Sequence, residues 1–453
     1  MATTTFINAQ GTGIVGNTTT FNFLIQSSNF NNTTEATRQA VVTTAATFSQ
    51  LRVRASTNTL AVDCVLTVRK NGTDTGMILT IPAGTTGEFQ NDIDSVSFTV
   101  GDLVSLKMVT AVSSGSAALT MISGAWTTLG NDGVQFIGAG RATSAPLSTT
   151  QYYSPLTGRS AWTTNTVNAA PVSMLVQTTA RNLAVNVSSN TRTSNTTIAP
   201  IINGTVGTTQ TITIPAGATG AIINSTDQTV LAPGDTLRWG LYQDTGSGTV
   251  VVAMTQCELV TSDGSWLTHS ASTGINTVTH GNTNWLPAGG DLIVSSLITN
   301  YPGQLATVCV AKHIHAYLNS NTSIIDSTLT LLKNGTATAL TLTIPAGQIG
   351  YVESSEASVV FAPGDTAQLE MTVPTGSGSN SFKNAGVRFA PIQYVDLAGV
   401  IECATNFLGE ATVLKILTGA IEVISLIAGR LKSNAKAIKK HMPSLPQQFR
   451  NED

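Results

Sequence analysis

Between Leu292 and Val373 apolar and polar residues alternate in short runs, at Leu292–Ser296, Val308–Leu318, Leu329–Leu332, Leu340–Ile344, Ser358–Phe361 and Ala367–Val373. Alternation with period two places the apolar side chains on one face of a β-strand. The runs are separated by turn signals at the spacing of sandwiches and barrels. Asn334-Gly335 suits a type I′ hairpin, whose two central residues both need positive φ. Pro345-Ala346-Gly347 and Pro363-Gly364 put Pro early in a turn and Gly at its left-handed position.

The pattern occurs three times. Gly84, Gly217 and Gly347 end IPAG; Gly87, Gly220 and Gly350 follow each after three residues, and Gly101, Gly234 and Gly364 after seventeen. Each last glycine precedes an acid: Asp102, Asp235 and Asp365. Asn58, Asn190 and Asn321 precede the glycine of the NG turn by fourteen residues, and Leu51, Leu183 and Ile314 precede that Asn by seven. Phe6-Ile7, Phe136-Ile137 and Trp266-Leu267 open the copies 130 residues apart. Spacing held this tightly marks a repeated unit of about 130 residues. The expected fold is all-β: three tandem jelly-roll-like β-sandwich domains at 1–130, 131–262 and 263–393, with an immunoglobulin-like sandwich as the alternative. The connections near Leu129–Val134 and Ser262–Ser265 are short, which permits either a string of beads or closure around a pseudo-threefold axis.

From Asp396 the period changes. Asp396 can cap a helix ending near Gly409, and from Glu410 steps of three and four recur through Leu414, Leu417, Ile421, Ile424, Ala428 and Leu431. That spacing is a heptad seam, and a second apolar stripe beside it broadens the face. Residues 394–453 therefore read as an α-helical tail for oligomerisation or docking, with a trimer favoured. Lys415 and Glu422 interrupt the apolar stretch, so a membrane span is not expected.

Charged residues make up only 10% of the chain, and Ser, Thr, Asn and Gly take their place. The net charge is -3, too small to make nucleic acid or acidic membrane the expected partner. It is uneven: Arg430 to Asp453 carry six basic residues against two acids, which the helix dipole accommodates. Cys64, Cys257, Cys309 and Cys403 occupy unrelated repeat positions and match no zinc or redox spacing, so buried thiols are expected. MATTTFINAQ has neither basic region nor apolar run, so synthesis without a classical signal peptide is expected.

Candidate chemistry is sparse. Asp102, Asp235 and Asp365 suggest calcium only weakly, since no loop of alternating acids accompanies them; turn-capping fits better. His313 and His315 share one strand face but lack a third ligand, so a sheet-surface pair is expected. No nucleophile motif occurs and no cofactor is implied, and an enzyme is not expected. Trp162 and Trp285 lie in Gly/Asn/Thr-rich surroundings and are the candidates for surface sugar stacking, whereas Trp266 aligns with Phe6 and Phe136 and points to a core.

The order strand, KNG turn, strand, short loop, strand, Gly-Asp, strand resembles jelly-roll domains of the C1q and tumour necrosis factor type. Thr/Asn/Gly-rich repeats with KNGT and IPAGxTG turns also resemble tailed-phage virion proteins, namely head fibres, decoration proteins and tail fibres. The resemblance covers roughly the first 393 residues. It implies a structural protein of the virion, made in the host cytoplasm, with other virion proteins as partners. A carbohydrate- or receptor-binding adhesin contacting a host-surface glycan is the alternative, and a glycan-degrading tail protein is a further one.

Overall fold

The computed structural model describes residues 2–25, 32–111, 115–128, 134–145, 152–154, 156–159, 171–279, 281–291, 302–376 and 378–392. Met1–Ile392 is one compact unit. The tail, with its seam from Leu414 to Leu431, lies outside the described residues. Among those residues the chain is nearly all β, with one short 3-10 turn at Glu35–Thr37.

The first repeat supplies β1 (Ala2–Val15), β2 (Thr19–Asn22), β3 (Ala40–Val41), β4 (Ala46–Asn58), β5 (Cys64–Lys70), β6 (Thr73–Ile81), β7 (Gly87–Phe98), β8 (Leu103–Thr110) and β9 (Ser116–Thr128). Antiparallel strands in the order β1-β9-β4-β7 form one layer, and β2-β8-β5-β6, with β3 on β8, form the other. Alternation explains what faces inward. Cys64, Leu66 and Val68 from β5 and Leu106 and Met108 from β8 meet Phe48, Leu51, Val53 and Trp126 from the opposite layer. Trp126 anchors this core, 5.1 Å from the Phe48 ring and 5.5 Å from Phe98, with Nε1 donating to the Leu24 carbonyl at 3.0 Å.

A bulge interrupts the alternation of β4. Gln50 has φ 56°, and the pairing register slips between Ser49 and Leu51, so Phe48 and Leu51 both point inward. An extra residue in one strand does this by inserting half a pleat. Asn182, φ 52°, plays the same part in the second repeat.

The other repeats follow the same order. Val134–Ala145, Val250–Thr261, Thr178–Asn190 and Gly220–Leu231 lie in the large sheet, while Tyr152–Ser154, Thr236–Gln243 and Thr196–Ile202 lie in a separate one. In the third repeat Trp266–Thr279, Ser379–Pro391 and Cys309–Asn321 face Thr283–Pro287, Thr366–Thr372, Ser327–Lys333 and Thr336–Ile344. Two further cores result, one around Trp239 and one around Trp266, Phe361 and Phe389. Cys64, Cys257 and Cys309 are free thiols buried in the three cores, and burial alone pushes the Cys64 thiol up to about 12. Cys403 lies outside the described residues.

The three repeats close on one another. Their opening strands, Ala2–Val15, Val134–Ala145 and Trp266–Thr279, touch pairwise. Short parallel bridges stitch them: Gly158–Arg159 between the second and third, and Gly290–Asp291 between the third and first. Each closing strand also docks on the short edge strand of a different repeat. Ser123 Oγ donates to the Gln304 carbonyl at 2.8 Å. Gln256 accepts from Val41 N at 2.9 Å and donates back to its carbonyl at 2.5 Å. Asn384 Nδ2 donates to the Pro171 carbonyl at 2.7 Å. These contacts run first to third, second to first and third to second. Head-to-tail contacts of that kind generate a ring when the rotation closes.

Candidate functional site

The turns carry the most regular polar chemistry of the described residues. Asn71, Asn203 and Asn334 have φ of 52°, 50° and 51°, and the glycines after them are also positive, as a type I′ hairpin requires. Each Asn then clasps the acid of the Gly-Asp turn. Asn71 Nδ2 donates to Asp102 at 2.6 Å, Asn203 to Asp235 at 2.7 Å and Asn334 to Asp365 at 2.7 Å. The second carboxylate oxygen accepts from the backbone N–H of Thr99, Ala232 and Ala362 at 2.7, 2.8 and 2.7 Å. Burial is the largest single influence on the Asp102 and Asp365 carboxyls and raises them, but the hydrogen bonds together outweigh it and hold both below the usual range. For Asp235 the bond from Asn203 is itself the main cause. These oxygens serve as caps in the structure.

The ring junctions are different in kind. Between second and first repeats lies Glu258, fully buried, which accepts from Thr43 Oγ1 at 2.5 Å and from Arg181 Nε at 3.0 Å. Between first and third, Arg52 is 4% exposed and grips Asp92 at 3.0 Å beside the Ser123–Gln304 contact.

Within the third repeat, on the side that meets the second through Asn384 and Pro171, two histidines meet. His315 Nε2 lies 2.6 Å from His269 Nδ1, both rings fully buried and tilted at 64°. A contact this short needs one proton shared between two neutral rings. Gly386 admits it: a Cβ there would lie 1.9 Å from the Thr268 carbonyl and 2.7 Å from His315 Cε1. Burial, then the charge of His313, lowers His315 to about 3; burial, then His315, lowers His269 well below 6.5. The surface pair expected from sequence is thus corrected. His313 stays half-buried against the Ser354 carbonyl at 3.1 Å, while His315, two residues on, is fully buried against a partner forty-six residues away.

Beside the histidines the same junction gathers half-buried tyrosines. Tyr317 and Tyr351 sit opposite each other on adjacent strands, and Tyr351 stacks on His315 at 6.3 Å. Facing them, Arg238, Gly240 and Tyr242 share one face of Thr236–Gln243, with Tyr153 directly opposite Gly240. The Arg238 guanidinium lies 4.7 Å over the Tyr153 ring. Burial pulls Arg238 below its ordinary value, and Tyr153, Tyr317 and Tyr242 all act on it electrostatically. Burial pushes Tyr242 up to about 12.

Of the residues singled out by sequence, Trp266 is core, 1% exposed. Trp285 is half-buried on Thr283–Pro287, opposite Glu370 and at the position that Tyr153 occupies in the second repeat. Trp162 lies outside the described residues. Arg238 and its tyrosines carried no sequence signal beyond the rarity of tyrosine, seven in the chain. Among the described residues no three His, Cys, Asp or Glu converge as metal ligands would.

No family model and no curated protein matches the chain. Among solved structures it is similar to the insecticidal delta-endotoxin Cry8Ea1 of Bacillus thuringiensis, at 11% identity and a TM-score of 0.15. The match covers 48% of this chain and 53% of the toxin, and at that score it carries no functional argument.

Proposed function

We propose that this chain is a structural component of a tailed-phage virion, displayed on the surface and acting by assembly and contact. The strand order supports reading each repeat as a jelly roll, since β1-β9-β4-β7 facing β2-β8-β5-β6 is an eight-stranded double Greek key. The observation that carries the assembly role is the closed ring. Polar bonds cross from repeat to repeat at its junctions: Thr43 to Glu258, Val41 with Gln256, Ser123 to Gln304 and Asn384 to Pro171. Three repeats fixed within one chain make a unit that resists dissociation on dilution, as a displayed particle component must.

In sequence the third repeat runs on into the seam of Leu414, Leu417, Ile421, Ile424, Ala428 and Leu431. That seam is the proposed oligomeriser, a trimer being favoured, or the anchor to another virion protein. Mass spectrometry of purified particles should find the chain in stoichiometric amount. Its presence in infected-cell lysate alone would sink the proposal. A chain cut after Val395 should keep its β-rich circular dichroism while losing oligomeric mass and particle attachment.

A further inference from the structure

Four of the chain's seven tyrosines, Tyr153, Tyr242, Tyr317 and Tyr351, gather with Arg238 at one junction. The repeats supply an internal control for what packing alone requires there. At the position of Arg238 the first repeat has Ser105 and the third Gln368; at that of Tyr242 they have Val109 and Thr372. Tyr317 corresponds to Arg54 and Asn186. The fold closes without tyrosine at the places of Tyr242 and Tyr317, and without arginine at that of Arg238. Only the strand occupied by Tyr153 keeps an aromatic, with Phe21 and Trp285 in the other copies.

The floor is also specific. A Cβ at Gly240 would lie 2.9 Å from the Tyr242 hydroxyl and 3.0 Å from its Cε2, so the Tyr242 ring lies across the strand instead of standing off it. Tyr153, Arg238, Tyr242 and Tyr317 are all half-buried, with part of each side chain open to solvent.

We propose that this half-buried cluster binds a saccharide bearing a carboxylate, with Arg238 taking the carboxylate and Tyr153, Tyr242 and Tyr317 taking the sugar ring. Tyrosine offers an apolar face to the C–H side of a sugar and a hydroxyl to its polar rim. The guanidinium stacks on Tyr153 through its face, whereas a carboxylate is gripped by its N–H edge, so both contacts are possible together. Two repeats contribute residues, so the site exists only in the closed ring.

The test is calorimetry on the full chain, with a galacturonate tetrasaccharide and a glucuronate-containing tetrasaccharide as acidic probes and chitotetraose as the neutral one. At least one acidic probe should bind, and more tightly than chitotetraose by about tenfold or more. Arg238→Gln should weaken the acidic probe by a similar factor and bring it level with the neutral one. Tyr317→Ala, made on the opposite wall, should weaken both kinds. Absence of binding by either acidic probe overturns the proposal, as does equal affinity for chitotetraose or unchanged binding in folded Arg238→Gln or Tyr317→Ala. The measurement needs no particle, so its outcome is separate from that of the virion role.

Discussion

The Asn–Asp clasps and the ring junctions lie on three copies of one fold, yet only the clasps are alike. The three clasps repeat the same bonds within 0.1 Å, at 2.6, 2.7 and 2.7 Å. The junctions place Ser123, Gln256 and Gly386 at equivalent points and build around them, in turn, a backbone contact, a buried Glu–Arg pair and two histidines. A clasp satisfies a local demand, because two consecutive residues at positive φ leave few side chains acceptable. A junction has only to match the neighbour it meets, and neighbours can be matched in several ways.

The comparison breaks most readily at Glu258. Arg181→Ala should cost about 3 kcal/mol, because it leaves a fully buried carboxylate with Thr43 as its remaining hydrogen-bond partner at that junction. Arg181→Ala with Glu258→Leu should recover much of that loss, since an apolar pair removes the stranded charge. Thermal unfolding of the full chain measures both. Equal losses in the single and double variants would show that the stranded carboxylate is not what weakens the fold there.

Gly386→Ala probes the histidine junction by geometry. Its Cβ would meet the Thr268 carbonyl and His315, and overpacking of this kind costs about 1–3 kcal/mol. Acid probes the same junction by charge. Both histidines are held neutral in the folded chain, with His315 lowered to about 3, whereas unfolded they titrate near 6.5. Below 6.5 the unfolded state therefore binds more protons, so stability is full above that pH and falls as acid is added, down toward pH 3. The slope approaches about 1.4 kcal/mol per pH unit for each histidine. The clasp carboxylates are held below 3.8, so they cannot account for a loss between pH 6.5 and 5. His269→Phe with His315→Leu should flatten that interval, and an unchanged slope would place the titration elsewhere.

What the sequence revealed follows the same division. The NG turns, the Gly-Asp caps and the alternating strands were legible because backbone sterics and period-two burial act within a few residues. The ring was legible only as one of two options, since the pairing of Gln256 with Val41 spans 215 residues and leaves no local mark. The burial of His315 leaves as little local mark. Its partner His269 belongs to the opening strand of the repeat, forty-six residues away. Tyr153, Arg238, Tyr242 and Tyr317 each look ordinary alone; only closure of second against third repeat brings them together.

The smallest expected effect is also the sharpest statement of locality. Lys70 and Lys333 reach Asp102 and Asp365, each at 2.9 Å, and the second repeat has Ile202 at that place. Both lysine side chains are 34% exposed, so each pair contributes no more than about 0.5 kcal/mol. The Asn contribution is larger. Asn334→Ala removes the bond to Asp365 and the one from Thr366 N at 2.8 Å, and it forces Ala into φ 51°. Those losses cost about 1–2 kcal/mol together. Asn203→Ala removes the corresponding bonds to Asp235 and from Thr236 N at 2.9 Å, with no lysine nearby to share the acid. If the clasp is set by turn geometry, the two substitutions should agree in chemical denaturation within about 0.5 kcal/mol, the size of the lysine contribution. A gap well beyond that would mean the surrounding repeat, not the turn, sets the strength of the clasp.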